Sequence, residues 1–257
     1  MKIKPLYFAA MMTALIALLV SSVPVRASET DDRIESSFKT SYVYKTYLKD
    51  DTITISSKQG AVTLSGEVVS ETNKIMAQDI AEALPGVTGV ENNLKVSGES
   101  VSEMSDAWVL MKVKTALLFH RNVNVVKTDV SVKDGYVTLK GEASSMAQKD
   151  LAGEYAKDVD GVKGVHNQMT VAKSAVQPAD TIGDKIDDAS TTAMVKMTLL
   201  YHRSTSALKT KVSTTDGVVT VSGTAKNAAE KDLASKLVED VNGVKNVVNT
   251  MTIVPKE

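Results

Sequence analysis

The sequence predicts an α+β fold made of three tandem copies of one αββαβ unit, each a three-stranded mixed sheet with two helices on one face. A glycine followed by an apolar-Thr-apolar strand and a second glycine occurs three times, at 60–66, 135–141 and 217–223. A Gly-Val-x-x-Val pattern follows at 86–90, 161–165 and 243–247. The first glycines of the two patterns are 26 residues apart in every copy (60 to 86, 135 to 161, 217 to 243). A fixed gap between two short patterns indicates a threefold repeat.

The first two strands of each copy are predicted to form a hairpin. Alternating polar and apolar residues at 52–55, 129–132 and 211–213 lead into Gly60, Gly135 and Gly217, where a tight turn needs positive φ. The returning strand alternates with period two, so its apolar residues share one face of the sheet. These residues are Val62 and Leu64, Val137 and Leu139, and Val219 and Val221.

A helix is predicted between the second and third strands, which makes those two strands parallel. Its apolar residues follow the spacing i, i+1, i+4, i+8 of one helical face, as at Met76, Ala77, Ile80 and Leu84. Another helix precedes each hairpin, clearest at 110–117 and 195–199, with 38–42 aligned in copy one. We expect Gly66, Gly141 and Gly223 to end the second strand, and Gly86, Gly161 and Gly243 to close the second helix in the left-handed conformation.

The N-terminus is typical of a secretory signal peptide over residues 1–27. Two lysines precede the uncharged run 6–20, and Val25-Arg26-Ala27 matches a cleavage site. The run of about 15 residues is shorter than the ~20 of a membrane-spanning helix, so we expect cleavage after Ala27 and no transmembrane segment in the mature chain. The predicted domains are then 28–97 (copy one), 105–172 (copy two) and 184–254 (copy three).

The composition argues against most classes of catalytic, metal-binding and nucleic-acid-binding site. The chain has no cysteine and three histidines, which excludes disulfides, thiol catalysis and cysteine-based metal sites. With 30 basic against 31 acidic residues there is no strong field to recruit nucleic acid. Without residues 1–27 the count is 27 basic and 31 acidic residues, so the exported chain is weakly acidic.

The repeated strand, helix and Gly-Val-x-x-Val patterns resemble the BON (bacterial OsmY and nodulation) domain family over nearly the whole mature chain. The resemblance implies a periplasmic protein with three BON domains, no catalytic activity and no cofactor. It further implies association with phospholipid or with other envelope components, in support of envelope integrity under osmotic or other stress.

The residues themselves offer little for catalysis. His120 and His202 occupy the same repeat position, and we expect both to cap the end of the first helix. His166 has no histidine at the equivalent positions, and the Ser-x-x-Lys match at 36–39 lacks its companion motifs. Repeated Asn92, Asn167 and Asn249 are interpreted as hydrogen-bonding residues that tie loops. We therefore expect no enzyme, no metal site and no cofactor.

One segment offers a membrane-binding signal. Trp108 stands beside basic residues on the first helix of copy two, a combination suited to a lipid headgroup region. The candidate lipid-binding residues are Trp108, Lys112, Lys114, Arg121 and Arg203. The alternative interpretation is that the apolar residues of this helix are core and Trp108 covers its start. Two functions remain: binding an anionic phospholipid surface, or binding exported protein clients as a chaperone-like module through the polar sheet face or open strand edges.

Overall fold

A computed structural model of the chain describes residues 24–97, 105–121, 123, 128–172, 186–205 and 209–254. The predicted signal peptide lies outside these residues up to position 23, and most of both linkers lies outside them as well. Copy one contains α1 (Pro24–Thr40), α2 (Tyr42–Tyr47), β1 (Thr52–Lys58), β2 (Ala61–Val68), α3 (Glu71–Ala83) and β3 (Gly89–Val96). Copy two contains α4 (Asp106–Phe119), β4 (Thr128–Lys133), β5 (Tyr136–Ala143), α5 (Met146–Lys157), β6 (Gly164–Asn167) and β7 (Thr170–Val171). Copy three contains α6 (Asp188–Tyr201), β8 (Thr210–Thr215), β9 (Val218–Ala225), α7 (Ala228–Glu239), β10 (Asn246–Asn249) and β11 (Thr252–Ile253).

The predicted sheet is confirmed in all three copies. The second strand lies in the middle, antiparallel to the first strand and parallel to the third. In copies two and three the third strand is interrupted, giving β6 and β7, and β10 and β11. The register is unchanged across each interruption, as the pairs Leu139 with Asn167 and Glu142 with Thr170 show. The plan of three strands is therefore retained.

The first helix of copy one is broken at Ser41, where the sequence predicts one continuous helix. Thr40 Oγ1 donates to the Ser36 carbonyl at 2.9 Å, and Ser41 Oγ donates to the Phe38 carbonyl at 2.8 Å. These side chains compete with the helical backbone for its own hydrogen-bonding groups. Ser41 also accepts a hydrogen bond from the Tyr44 N–H and so begins α2.

The hairpin turns have the predicted backbone. Gly60, Gly135 and Gly217 have φ of 80°, 81° and 79°, and the residue before each is also left-handed. Two successive left-handed residues are the requirement of the two-residue hairpin turn that matches strand twist.

Gly66, Gly141 and Gly223 correct the sequence prediction, because they lie within the second strand and not at its end. A Cβ at Gly66 would lie 1.9 Å from the Thr52 carbonyl oxygen, and one at Gly223 would lie 2.0 Å from that of Lys209. Gly66 and Gly223 thus let the first strand approach closely. Gly86, Gly161 and Gly243 have positive φ as predicted, but they lie two or three residues beyond the helix C-cap, against the first helix.

The repeated asparagines are hydrogen-bonding residues as predicted, but they fasten the third strand to the second helix and do not tie a loop. The Asn167 amide donates to the Lys149 carbonyl at 2.6 Å and its oxygen accepts from the Met169 N–H at 3.2 Å. Asn92 and Asn249 make the same pair of hydrogen bonds in their own copies.

The three copies build two apolar cores. Copies one and three share one core, which also takes in Phe119 from copy two, whereas copy two has a separate core of its own. Copy one therefore docks on copy three, which is not its neighbour in sequence. No helix among the described residues is both long and apolar enough to cross a membrane.

Candidate interaction surface

The candidate residues predicted from sequence do not form one open surface. The prediction that Lys112 binds lipid is wrong, because only 2% of the residue is exposed. Its ammonium lies 3.2 Å from Asp160 Oδ2 and 3.6 Å from the centre of the Trp108 ring. Trp108 is half-buried and lies over Gly161, where an added Cβ would be 3.1 Å from its ring. Lys112 and Trp108 thus stabilise copy two, and the charge of Lys112 is already paired.

Arg121 and Arg203 hold copies two and three together. Arg121 Nη2 donates to the carbonyls of Val241 and Val244, at 3.1 and 2.6 Å. Arg203 Nη2 donates to the carbonyls of Val162, at 3.0 Å, and of Lys157. Carbonyl oxygens of the other copy therefore occupy Nη2 of each guanidinium, while both arginines stay exposed to solvent. Lipid binding by these two residues stays a prediction.

We call this contact between copies two and three the joint; it comprises residues 119–121 and 158–162 of copy two with 201–203 and 240–244 of copy three. Its backbone hydrogen bonds are reciprocal. The Arg121 N–H donates to the Asp240 carbonyl at 3.0 Å and the Asn242 N–H to that of Phe119 at 2.9 Å. The equivalent residues 82 positions away repeat this, Arg203 to Asp158 and Asp160 to Tyr201, both at 2.9 Å. The joint is an internal pseudo-twofold interface, since each copy contributes the same two segments.

His120 and His202 lie at the centre of the joint. Each is the C-cap of its helix, as predicted. The predicted cause, a positive imidazolium at the negative end of the helix dipole, is not supported. Burial lowers the pKa of His120 to about 4 and also lowers that of His202. The His120 ring is stacked on Tyr155 with centroids 3.6 Å apart, and His202 Nε2 lies 3.9 Å from Asp158 Oδ2. The described residues contain no cluster of three or more potential metal ligands.

Copy one docks through α3 on the outer face of α6. Lys196 Nζ lies 2.7 Å from Asp79 Oδ1 and 2.9 Å from Glu82 Oε2. Burial alone would lower the pKa of Lys196, but the two carboxylates outweigh it and raise that pKa, so the ammonium stays charged. Thr72 and Tyr201 share a 2.8 Å hydrogen bond between their hydroxyls.

The face of α6 that copy one covers has an open equivalent on α4. Its positions on α6 are Ala189, Ala193, Lys196 and Leu200: both alanines are buried in the core shared with copy one and Lys196 is half-buried, whereas Leu200 at the end of the helix stays exposed. The same positions on α4, which we call the outer stripe, are Ala107, Met111, Lys114 and Leu118. Ala107, Lys114 and Leu118 are exposed and Met111 is half-buried. Of the residues predicted to bind lipid, Lys114 is the one that the structure places on this stripe.

The difference between the two faces has a steric cause. Copy one reaches α6 closely because Ala193 is small and because Ser190 Oγ accepts the Val43 N–H at 3.0 Å. The residues equivalent to these two on α4 are Met111 and Trp108, which are larger and offer no such acceptor. Copy one therefore fits copy three and leaves the outer stripe of copy two open.

Sequence comparison agrees with this architecture. The BON domain profile matches residues 30–98, 105–173 and 187–255. The chain belongs to the BON domain family. Such a module is the αββαβ unit described above, here present three times.

The curated proteins similar to this BON-domain chain include an osmotically inducible protein, a hemolysin and an outer membrane lipoprotein. The Osmotically-inducible protein Y of Escherichia coli (strain K12) is 34% identical over 180 residues, 65% of this chain and 87% of that protein. The 21 kDa hemolysin of Actinobacillus pleuropneumoniae is 32% identical over 44% of this chain, and the Outer membrane lipoprotein DolP of Haemophilus influenzae is 32% identical over 42%. These matches span 59% and 57% of the last two proteins, somewhat more than half of each.

Similarity to solved structures is weak. CdsD, a structural protein of the type III secretion system of Chlamydia trachomatis, matches 84% of this chain and 91% of its own with 16% identity and a TM-score of 0.25. A TM-score this low carries no argument about function.

Proposed function

We propose that this BON-domain protein is a non-catalytic component of the bacterial envelope that binds anionic phospholipid surfaces and supports the envelope under osmotic stress. The names of the similar proteins support the setting: one is osmotically inducible and another is an outer membrane lipoprotein. The signal peptide predicted at residues 1–27 supports export to the periplasm.

The observation that carries the proposal is the open outer stripe of α4. On α6 the equivalent alanines are buried and Lys196 is half-buried against copy one, whereas on α4 Ala107 and Lys114 are exposed. Leu118 is 36% exposed, and its equivalent Leu200 is open as well. Met and Leu side chains around a lysine suit the boundary between headgroups and acyl chains, where apolar atoms bury and the ammonium meets phosphate. The stripe is short and has one cation, so we expect weak, salt-sensitive binding.

Vesicle sedimentation of the mature chain tests the proposal. We expect binding to phosphatidylglycerol vesicles but not to phosphatidylcholine vesicles, with loss at high salt. Lys114→Glu should weaken binding at least about fivefold, since each basic residue near an anionic surface contributes about 1 kcal/mol. Leu118→Asp should weaken it further by placing a charge among acyl chains, while Lys58→Glu, an equal charge change in copy one, should bind like the wild type.

Equal loss in Lys58→Glu and Lys114→Glu would contradict the role of the stripe. The protein-client alternative has its own support, because the strands β10 and β11 lie at a sheet edge and expose Val248 and Ile253, with the exposed Val254 directly after β11. No vesicle binding at any salt, together with suppressed aggregation of an unfolded outer membrane protein, would favour that alternative.

A further inference from the structure

A small cavity lies at the centre of the joint, between the two histidines. It has a volume of about 20 Å³ and is lined by residues of both copies, among them His120, Tyr155, Thr198 and His202. A volume of this size accommodates one water molecule.

Two buried polar atoms in this lining have no hydrogen-bond partner within the part of the chain described: Nδ1 of His120 and Oγ1 of Thr198. Both residues are more than nine-tenths buried. A buried polar atom costs free energy unless it is hydrogen-bonded, and a water in the cavity would satisfy both. A neutral His120 accepts such a hydrogen bond through Nδ1, whereas a protonated ring has no lone pair there.

The charges around His120 oppose its protonation only in part. Tyr155 and Asp158 face it from α5 and the loop that follows, and Asp240 faces it from the end of α7. From α6 come Tyr201 and His202, followed by Arg203. Its own segment adds Arg121 and Lys112, and Lys112 is paired with Asp160 from the loop after α5. Burial lowers the pKa of His120 most, Asp240 raises it and His202 lowers it. Burial also lowers the pKa of His202 most, while Asp158 raises it and Arg203 lowers it.

We propose that the joint between copies two and three is a pH-responsive hinge, closed while His120 is neutral in its hydrated cavity and loosened when the ring is protonated. Opening the joint exposes the ring to water, where a cation is solvated, and frees the reciprocal backbone hydrogen bonds of the two copies. An interface built on a buried histidine between two rigid domains is the kind of element that protonation biases.

The size of the effect follows from proton linkage. The pKa of His120 is about 4 in the closed joint and that of an exposed histidine is about 6.5. A lowered pKa means that the open state binds the proton first, so the closed state is favoured above pH 6.5 and loses that advantage as the pH falls from 6.5 to 4. Between pH 7.5 and 5.0 the opening constant should therefore rise about 25-fold from His120 alone.

Amide hydrogen exchange on the mature chain measures that opening constant. The reporters are the four N–H groups that donate across the joint, those of Arg121, Asp160, Arg203 and Asn242. After correction for intrinsic exchange rates, we expect their protection to fall about 25-fold between pH 7.5 and 5.0, while amides of β1 and β2 in copy one stay unchanged.

His120→Phe keeps a ring on Tyr155 but cannot be protonated, and should reduce this change to a few-fold at most. His120→Gln serves the same purpose if the larger apolar ring disturbs folding. His166→Phe, at an exposed histidine of the copy two sheet, is the matched control and should behave like the wild type. Protection that is independent of pH in the wild type, or that falls equally in the His120 variants, would overturn the proposal.

Discussion

One aspartate in each copy binds the hairpin turn to the first helix. Asp31, Asp106 and Asp188 each accept two backbone N–H bonds, from the two central residues of the turn, at 2.7–2.9 Å. The Gly60 N–H lowers the pKa of Asp31 most strongly, followed by the Ser57 hydroxyl and the Gln59 N–H. Sequence reasoning missed them, although each aspartate precedes its turn glycine by 29 residues in all three copies (31 to 60, 106 to 135, 188 to 217).

Asp188→Ala should lower the free energy of unfolding by about 2 kcal/mol, because it leaves the Asp216 and Gly217 N–H groups without a charged acceptor. Urea denaturation at pH 7 measures this loss. The control is Asp232→Ala on the exposed side of α7, which should change the midpoint very little. Equal stability of the two variants would show that solvent replaces the aspartate.

Among the secondary-structure elements, the second strand is the most constrained, because it is paired on both sides. Its internal glycine lies where the first strand begins, and the resulting approach leaves no space for a side chain. The strand pattern correctly predicts the buried residues that precede this glycine, Val62 and Leu64 in copy one. It does not show that the glycine lies inside the strand, since a glycine near the end of an alternating run also marks a strand end.

Gly66→Ala should destabilise the protein by more than about 2 kcal/mol, because the new Cβ would lie 1.9 Å from the Thr52 carbonyl oxygen at a φ of 116°. Thermal or urea unfolding measures the effect. Gly89→Ala in the neighbouring strand β3 is the control: nothing lies within 4 Å of its Cβ, so its stability should stay close to that of the wild type. A tolerated Gly66→Ala would mean that the strands can separate there without cost.

At the scale of the whole molecule, the order of the domains in space differs from their order in sequence. Copy three contacts both other copies: copy one covers the outer face of α6, and copy two meets it at the joint. The pair of carboxylates on α3 around Lys196 is the charged part of the first contact. Asp79 is only 13% exposed, so this carboxylate depends on the lysine for compensation.

Lys196→Met should therefore destabilise the protein by about 2 kcal/mol, less than a fully buried pair, since the Lys196 side chain is 28% exposed. The double variant Asp79→Asn with Lys196→Met should recover part of this loss, because no buried charge is left unpaired. A urea-denaturation double-mutant cycle measures both. A double variant no more stable than Lys196→Met would show that packing, and not charge compensation, determines the contact.

The repeat itself, the strand order and the turn glycines follow from local rules. Alternation, helical spacing and positive φ each depend on a few neighbouring residues. The sequence of each copy was therefore enough to predict its topology and the structural role of Asn92, Asn167 and Asn249. The same reasoning failed for Lys112, which is buried, and it did not predict that Arg121 and Arg203 bond to the neighbouring copy. Whether a cation is free depends on what packs against it, and Asp160 and the carbonyls of Val241 and Val162 belong to other segments of the chain.

The sequence alone thus determined the unit and how many times it occurs, because both are properties of short stretches of chain. Only the tertiary structure decided which surfaces the units use on each other. The first helices of copies two and three have equivalent faces. Ala193 and Ser190 on α6 allow copy one to pack there, whereas Met111 and Trp108 on α4 do not. That choice depends on close packing between residues far apart in sequence, and it leaves the outer stripe of α4 open to solvent.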